Sequence, residues 1–304
     1  MRKLKIRTGI SFLGALALAS LLSPSLFAAD SGKWQQDLEA WRAQRTQRLL
    51  APDGWFSLVG LDWLQPGKNT VGKAADNRIR LTSASAPDHL GVLDLENGKV
   101  QLLAPAGGFP SGLTVDDKPA QVTALTEEHT LRIGTLTLVA IKRGERFGLR
   151  SKDADAPTRK QFHGLNWYTP DAQYRVTAKW IPYTPQHDVT IPTIIGTTLH
   201  EKTPGAAEFV LNGKTVRLEP IVEDGKLFFI LRDTTSRSTT YGAARFLYTD
   251  LPASGLDKPG ELLVDLNRLQ NPPCAYTPYA TCPLPPEQNR LAVAIPAGEK
   301  RYHE

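Results

Sequence analysis

Between residues 33 and 50 apolar positions recur at helical spacing, with Trp34, Leu38, Trp41 and Leu49 on one face. This predicts an amphipathic helix in which the two tryptophans are packing anchors. Arg42, Arg45 and Arg48 are expected largely off that face. Ser31 is placed to cap the helix and Pro52-Asp53-Gly54 to stop it. From Trp55 onward the period becomes two. Leu131–Ile133 and Leu136–Leu138 alternate around Gly134, and Val176, Ala178 and Trp180 alternate with polar neighbours. Asn212-Gly213 separates Phe209–Leu211 from Val216–Leu218, and Asp224-Gly225 separates Ile221-Val222 from Leu227–Leu231. Both pairs predict hairpins, because both turn residues tolerate positive φ. Ala244–Tyr248, Leu262–Leu266 and Leu291–Ile295 read as further strands. Short strands at this spacing imply sandwiches or barrels. The polar stretch Arg150–Gln161 is the expected boundary. The expected class is therefore mainly β: a short helix (30–52), a β-sandwich (53–150) and a second antiparallel β domain (151–304).

The start of the chain changes where this protein is expected to reside. Arg2, Lys3, Lys5 and Arg7 precede an apolar run from Ile10 to Leu22, then Pro24 and Ala28-Ala29. That is the layout of a secretory signal peptide over residues 1–29, which predicts export to the periplasm or beyond. The run is shorter than the roughly 20 apolar residues of a spanning helix, so no stable membrane span is expected after cleavage. Leu26 or Phe27 occupies a position that prefers a small residue, so an uncleaved anchor is the rival reading. No Cys lies nearby for lipid attachment.

Charge changes the picture once more. Four of the 36 basic residues lie in that leader; without them 32 stand against 31 acidic ones, a net of about +1. No basic stripe remains, so nucleic acid is not an expected partner. The 23 Pro and 24 Gly suit a turn-rich β protein.

Residues 64–141 carry a set of ordered landmarks. Gln65–Lys73 leads to a loop, Asp76-Asn77-Arg78-Ile79-Arg80-Leu81 opens a strand, Ala86–Gly91 contains His89, and Val115–Pro119 forms a turn before the hairpin of Leu125–Leu138. In this order they resemble a forkhead-associated domain, which implies a β-sandwich. That family binds phosphothreonine through a loop Arg, a Ser and an Asn. Here Lys73 stands for the Arg, the Ser-Arg pair is missing, and Asp116 or Asp117 lies near the Asn position. A lysine lacks the bidentate fork, and a carboxylate repels phosphate. The resemblance therefore implies the fold without phosphopeptide binding, with His89 holding the loops.

The densest unusual sequence is C-terminal: Asp233–Leu247, Val264-Asp265-Leu266-Asn267-Arg268, Asn271–Leu291 with its Cys-Pro-Leu-Pro-Pro run, and Gly298-Glu299-Lys300. It resembles the signature end of an uncharacterised bacterial family catalogued as domain of unknown function 1684. The likeness extends over the mature chain through Asp53-Gly54-Trp55 and Val59-Gly60-Leu61. That family implies no activity. Two departures are Leu266, where an aromatic residue is usual, and Arg237, where Gly is.

Six prolines between Asn271 and Pro286 predict a stiff loop packed by Tyr276 and Tyr279. In an exported protein Cys274 and Cys282 favour a disulfide, contributing about 2.5 kcal/mol. Zinc is the rival and lacks further ligands nearby. Asp265 and Asn267 are two apart on a predicted strand and face one side. With Arg245, Tyr276 and Asn289 they form the candidate ligand site. An Asp–Arg ion pair with Asn267 serving loop backbone is the alternative reading.

No nucleophile elbow, phosphate loop or dinucleotide fingerprint occurs, so no cofactor is expected. His200-Glu201 starts a zinc-protease pattern that Pro204 ends, and the six histidines show no metal spacing. Two functions remain. One is a non-catalytic envelope module binding a peptide, glycan or small polar molecule. The other is a hydrolase or isomerase with Asp265 as acid or base.

Overall fold

The computed structural model describes residues 24–303. The expected leader falls mostly on residues 1–23, outside the described residues. Helix α1 (Pro24–Leu49) starts earlier than expected, so Ser31 lies within it rather than capping it. No helix among the described residues is long and apolar enough to cross a membrane.

Strands β1 (Leu58–Trp63), β2 (Gly67–Gly72), β3 (Ile79–Arg80), β4 (Gly91–Glu96), β5 (Lys99–Leu103), β6 (Thr114–Val115), β7 (Lys118–Pro119), β8 (Thr123–Leu125), β9 (Leu131–Ile133), β10 (Leu136–Arg143) and β11 (Arg146–Asp153) build two facing sheets. One has the order β1-β11-β10-β9-β6-β7, the other β3-β2-β4-β5-β8. Leu93, Leu102 and Val71 of one sheet meet Leu131, Leu138 and Leu149 of the other in one core. Alternation puts these side chains inward, which is how a sandwich buries its sheets. Asp116 and Asp117 both take positive φ, at 49° and 62°, in the β6–β7 turn.

The loops at the end of β2 are held by a residue other than the one expected. Asn77 donates through Nδ2 to the carbonyls of Asp88 at 2.7 Å and Ala74 at 3.0 Å. His89 is half exposed and lies 4.0 Å from Asp76. The structural role expected of His89 thus passes to Asn77, whose amide supplies the donor the loop carbonyls need.

The second region comprises β12 (Arg175–Pro192), β13 (Thr198–Leu211), β14 (Lys214–Leu218), β15 (Ile221–Glu223), β16 (Lys226–Leu231), β17 (Arg245–Thr249) and β18 (Gly260–Asp265). These form an antiparallel sheet β14-β13-β12-β18 and a second, β15-β16-β17. The Asn212-Gly213 and Asp224-Gly225 hairpins both form, with φ of 50° and 73° and of 49° and 72°. Strand β16 reads as an unbroken apolar run because both its faces are covered. Leu227, Phe229 and Leu231 pack with Trp180, Phe209 and Val264, whereas Phe228 and Ile230 pack with Phe246 and Ile191 on the other side. Gly205 pairs with Pro182 across β12–β13. A Cβ there would sit 2.5 Å from the Ile181 carbonyl oxygen and 2.7 Å from the Trp180 ring, so the fully buried tryptophan requires glycine.

Two expectations are corrected. Leu291–Ile295 forms no strand. Its N–H groups go to the Arg232 carbonyl and Asp233 Oδ1, and Ile295 enters the main core without a ladder. In the expected boundary stretch Arg150–Gln161, β11 runs to Asp153 and a helical turn α2 (Pro157–Lys160) follows. Arg159 Nε donates to the Leu50 carbonyl at 2.6 Å, and Thr158 Oγ1 to that of Phe56 at 2.6 Å, fastening this stretch to the end of α1. Arg42 and Arg45, expected off the apolar face of α1, are buried in it. Both find acceptors supplied by distant parts of the chain.

Phe56 draws these regions together, its ring centroid 5.0–5.2 Å from those of Tyr276, Phe162 and Tyr302.

Candidate functional site

The five candidate residues fall into separate networks. Arg245 is fully buried and pairs with Asp233, not with Asp265. It donates further to the carbonyls of Ala297 at 2.6 Å and Ile295 at 3.0 Å. Burial holds this guanidinium below its ordinary pKa, against the opposing pull of Asp233.

Asp265 and Asn267 do come together. Asp265 Oδ1 accepts from Asn267 N at 3.1 Å and Nδ2 at 3.0 Å, capping the turn Leu266–Arg268. Its Oδ2 accepts from Trp34 Nε1 at 2.8 Å, locking α1 onto the end of β18. Asn267 also exchanges two 3.0 Å bonds with the backbone of Asp171. Asn289 holds Glu219 N and the carbonyls of Glu219 and Ile230. These are structural uses.

Tyr276 belongs to a third network. Glu299, 1% exposed, accepts from Arg45 Nε at 2.8 Å, from Asn271 N at 3.1 Å and Nδ2 at 3.0 Å, and from the Tyr276 hydroxyl. Arg45 also donates to Gln270 Oε1, the Asn271 carbonyl and Tyr276 OH. Burial, with Glu299 adding, drives the Tyr276 phenol well above its usual pKa. Tyr279, expected to pack the loop, is 37% exposed.

The expected Cys274–Cys282 disulfide is not formed; both cysteines are free. The fold around Pro273–Ala275 directs the Cys274 N–H onto Cys282 Sγ at 3.1 Å. The interaction between the two neighbouring thiols lowers the Cys274 pKa and raises that of Cys282, with burial raising the latter further. No group of three or more metal-ligating side chains converges among the described residues.

Asp265 borders an open hollow of about 560 Å³ with Trp34, Arg175 and Arg268, and a second ligand-sized space lies between the β10–β11 hairpin of the sandwich and the β15-β16-β17 sheet. A cleft of about 630 Å³ opens there, within the 300–1,000 Å³ usual for small-molecule sites. Phe228, Ile230 and Phe246 form its apolar floor; Trp55 and Leu199 stand in its walls. Arg143 and Arg150 reach it from the hairpin, and Cys282 borders it.

Arg150 is the unusual member. Its Nε is buried without a hydrogen-bond partner, and no carboxylate pairs with it among the described residues. Burial, reinforced by nearby Arg143, lowers its pKa. Its guanidinium stands 5.5 Å from the centroid of the Trp55 ring, with Lys152 5.6 Å from the same ring. The other cleft arginines are already neutralised, Arg143 by Glu127 at 2.9 Å and Arg45 by Glu299 at 2.8 Å. Reading by sequence proximity missed Arg150, because its significance lies in what the distant sheet fails to supply.

Residues 160–300 match the family model described as protein of unknown function (DUF1684). The match does not extend over the whole mature chain as expected; Asp53-Gly54-Trp55 and Val59-Gly60-Leu61 lie outside it. An uncharacterised protein of Haloarcula marismortui, solved in solution by NMR, is 31% identical over 47% of this chain and 79% of its own, with a TM-score of 0.40. The FHA domain of FhaA, solved in complex with the intracellular domain of Rv3910, is 18% identical over 30% of this chain and 97% of its own, at a TM-score of 0.22. An FHA domain from a study of phosphothreonine-dependent interactions gives the same identity and TM-score, over 30% of this chain and 92% of its own. No curated protein matches significantly.

Proposed function

We propose that this protein is an exported, non-catalytic envelope module that binds a small ligand in the cleft between the sandwich and the β15-β16-β17 sheet. The observation that carries the reading is a half-buried guanidinium, Arg150, with no carboxylate among the described residues in salt-bridge reach, beside an apolar floor. An unpaired buried charge costs stability, and proteins retain such groups where a ligand completes them. Asp265 offers less support for the hydrolase or isomerase alternative, since both its oxygens are engaged by Trp34 and Asn267. The basic start and short apolar run support export.

A thermal-shift screen of the mature protein against glycans, peptides and small metabolites tests this, because a ligand of the native state raises the unfolding temperature. Leu199→Trp fills the cleft wall and is expected to abolish the shift. A shift that persists in Leu199→Trp places binding elsewhere, and recovery of a chemically altered ligand returns the enzyme reading. Intact mass of the envelope fraction tests export: the full-length chain in the cytosol refutes it.

A further inference from the structure

We propose that the ligand of this cleft is an amphipathic monocarboxylate, its head on the Arg150 guanidinium and its apolar body against Trp55 and Leu199, over the floor of Phe228, Ile230 and Phe246. The inference rests on the cleft being the binding site and adds the chemical class of what fills it.

The charge requirement follows from the balance of the walls. Lys142, Arg143, Arg150 and Arg45 line the cleft, and so do Glu201 and Glu223. Arg143 and Arg45 are spent on Glu127 and Glu299. Glu223 accepts from the Tyr248 hydroxyl at 2.7 Å. Lys142 and Arg150 then face Glu201 and Glu223, and of these four only Arg150 is half-buried, with no carboxylate among the described residues within salt-bridge distance. A dianionic headgroup would bring a surplus charge towards Glu201 and Glu223. The planar fork of an arginine matches a carboxylate in two parallel hydrogen bonds, here through its two Nη groups, since Nε is closed off from solvent.

The body requirement follows from the floor. Phe228 and Phe246 meet edge to face at 4.9 Å, with Ile230 beside them, and Trp55 rises next to the guanidinium. The three floor side chains are 3–7% exposed, so the open apolar surface is that of Trp55 and Leu199 beside them, which an anion as small as acetate would leave largely uncovered. A chain or ring attached to the carboxylate covers it at roughly 25 cal/mol per Å². Exclusion of water in turn strengthens the ion pair at Arg150.

Titration calorimetry of the mature protein with octanoate, octylamine, octyl phosphate and acetate tests the assignment. Octanoate is expected to bind one to one, with octylamine and acetate at least tenfold weaker and octyl phosphate weaker than octanoate. Arg150→Met keeps the stem of the side chain and is expected to weaken octanoate at least tenfold; Arg150→Lys restores part of the loss. Unfolding temperatures of both variants report that the fold survives. Octanoate binding unchanged in Arg150→Met, or octylamine binding as tightly, overturns the proposal, as does tighter binding of octyl phosphate. If octanoate fails to bind while another screened ligand gives a shift that Leu199→Trp removes, the cleft stands and the carboxylate assignment falls. If no ligand responds to Leu199→Trp, the cleft reading itself falls.

Discussion

Removing Glu299 is expected to be among the most damaging single changes in this protein. Its carboxylate is buried and takes donors from α1, from the proline-rich loop and from Tyr276. Burial alone would push the Arg45 guanidinium down; Glu299 and Tyr276 outweigh it and raise its pKa. Glu299→Ala leaves that cation buried without its carboxylate, a change that costs about 3–5 kcal/mol. The loss belongs in the upper part of that range, because the Asn271 N–H also loses its acceptor. At roughly 2–4 °C per kcal/mol for a chain of this size, the unfolding midpoint should fall by about 8–20 °C. Glu299→Gln keeps the shape and some acceptors and should recover a part of this. Thermal and urea unfolding of Glu299→Leu, alone and with Arg45→Met, isolate the charge. The double variant should be the more stable of the two, since the stranded cation has gone. A loss below about 1 kcal/mol for Glu299→Ala, or a double variant no better than the single one, would refute the reasoning.

Three further outcomes are expected. Asp265→Asn and Asn267→Ala should each lower stability by about 1–3 kcal/mol in urea unfolding, since they break the cap and the bonds to Trp34 and Asp171; unchanged stability would show that the cluster is not structural. Gly205→Ala forces a methyl group against the Ile181 carbonyl and the Trp180 ring, and should cost about 1–3 kcal/mol with a shift in tryptophan emission. Burial raises the Asp153 carboxyl pKa, but hydrogen bonds from Ser83, Thr135 and the Asp155 N–H, with Lys160, overcome it and hold the carboxyl below its usual value. Its stabilisation is therefore present above the ordinary carboxylate range and lost as pH falls through the lower folded value, so the deficit of Asp153→Asn against wild type should shrink in acid unfolding.

Much of the β architecture was legible because its signals are local. Asn212-Gly213 and Asp224-Gly225 specify their turns through two residues whose backbones accept positive φ, and β16 announces burial on both faces by its unbroken apolar run. The pairing of charges was not legible. Arg45 looks like a solvated helix residue until Glu299, 254 positions away, is folded beside it. Arg245 was matched by proximity to the wrong acid, since the Asp233 turn, rather than β18, brings a carboxylate to it. Leu291–Ile295 has the composition of a strand, yet its N–H groups are taken by Arg232 and Asp233. Arg150 reads as one more surface cation at the end of a strand. Local conformational preference is carried by neighbouring residues and survives in the sequence. Which charge is buried, which acceptor reaches it and which is left unpaired depend on segments brought together only by the tertiary fold, because the free energy of a charge is set by everything that surrounds it.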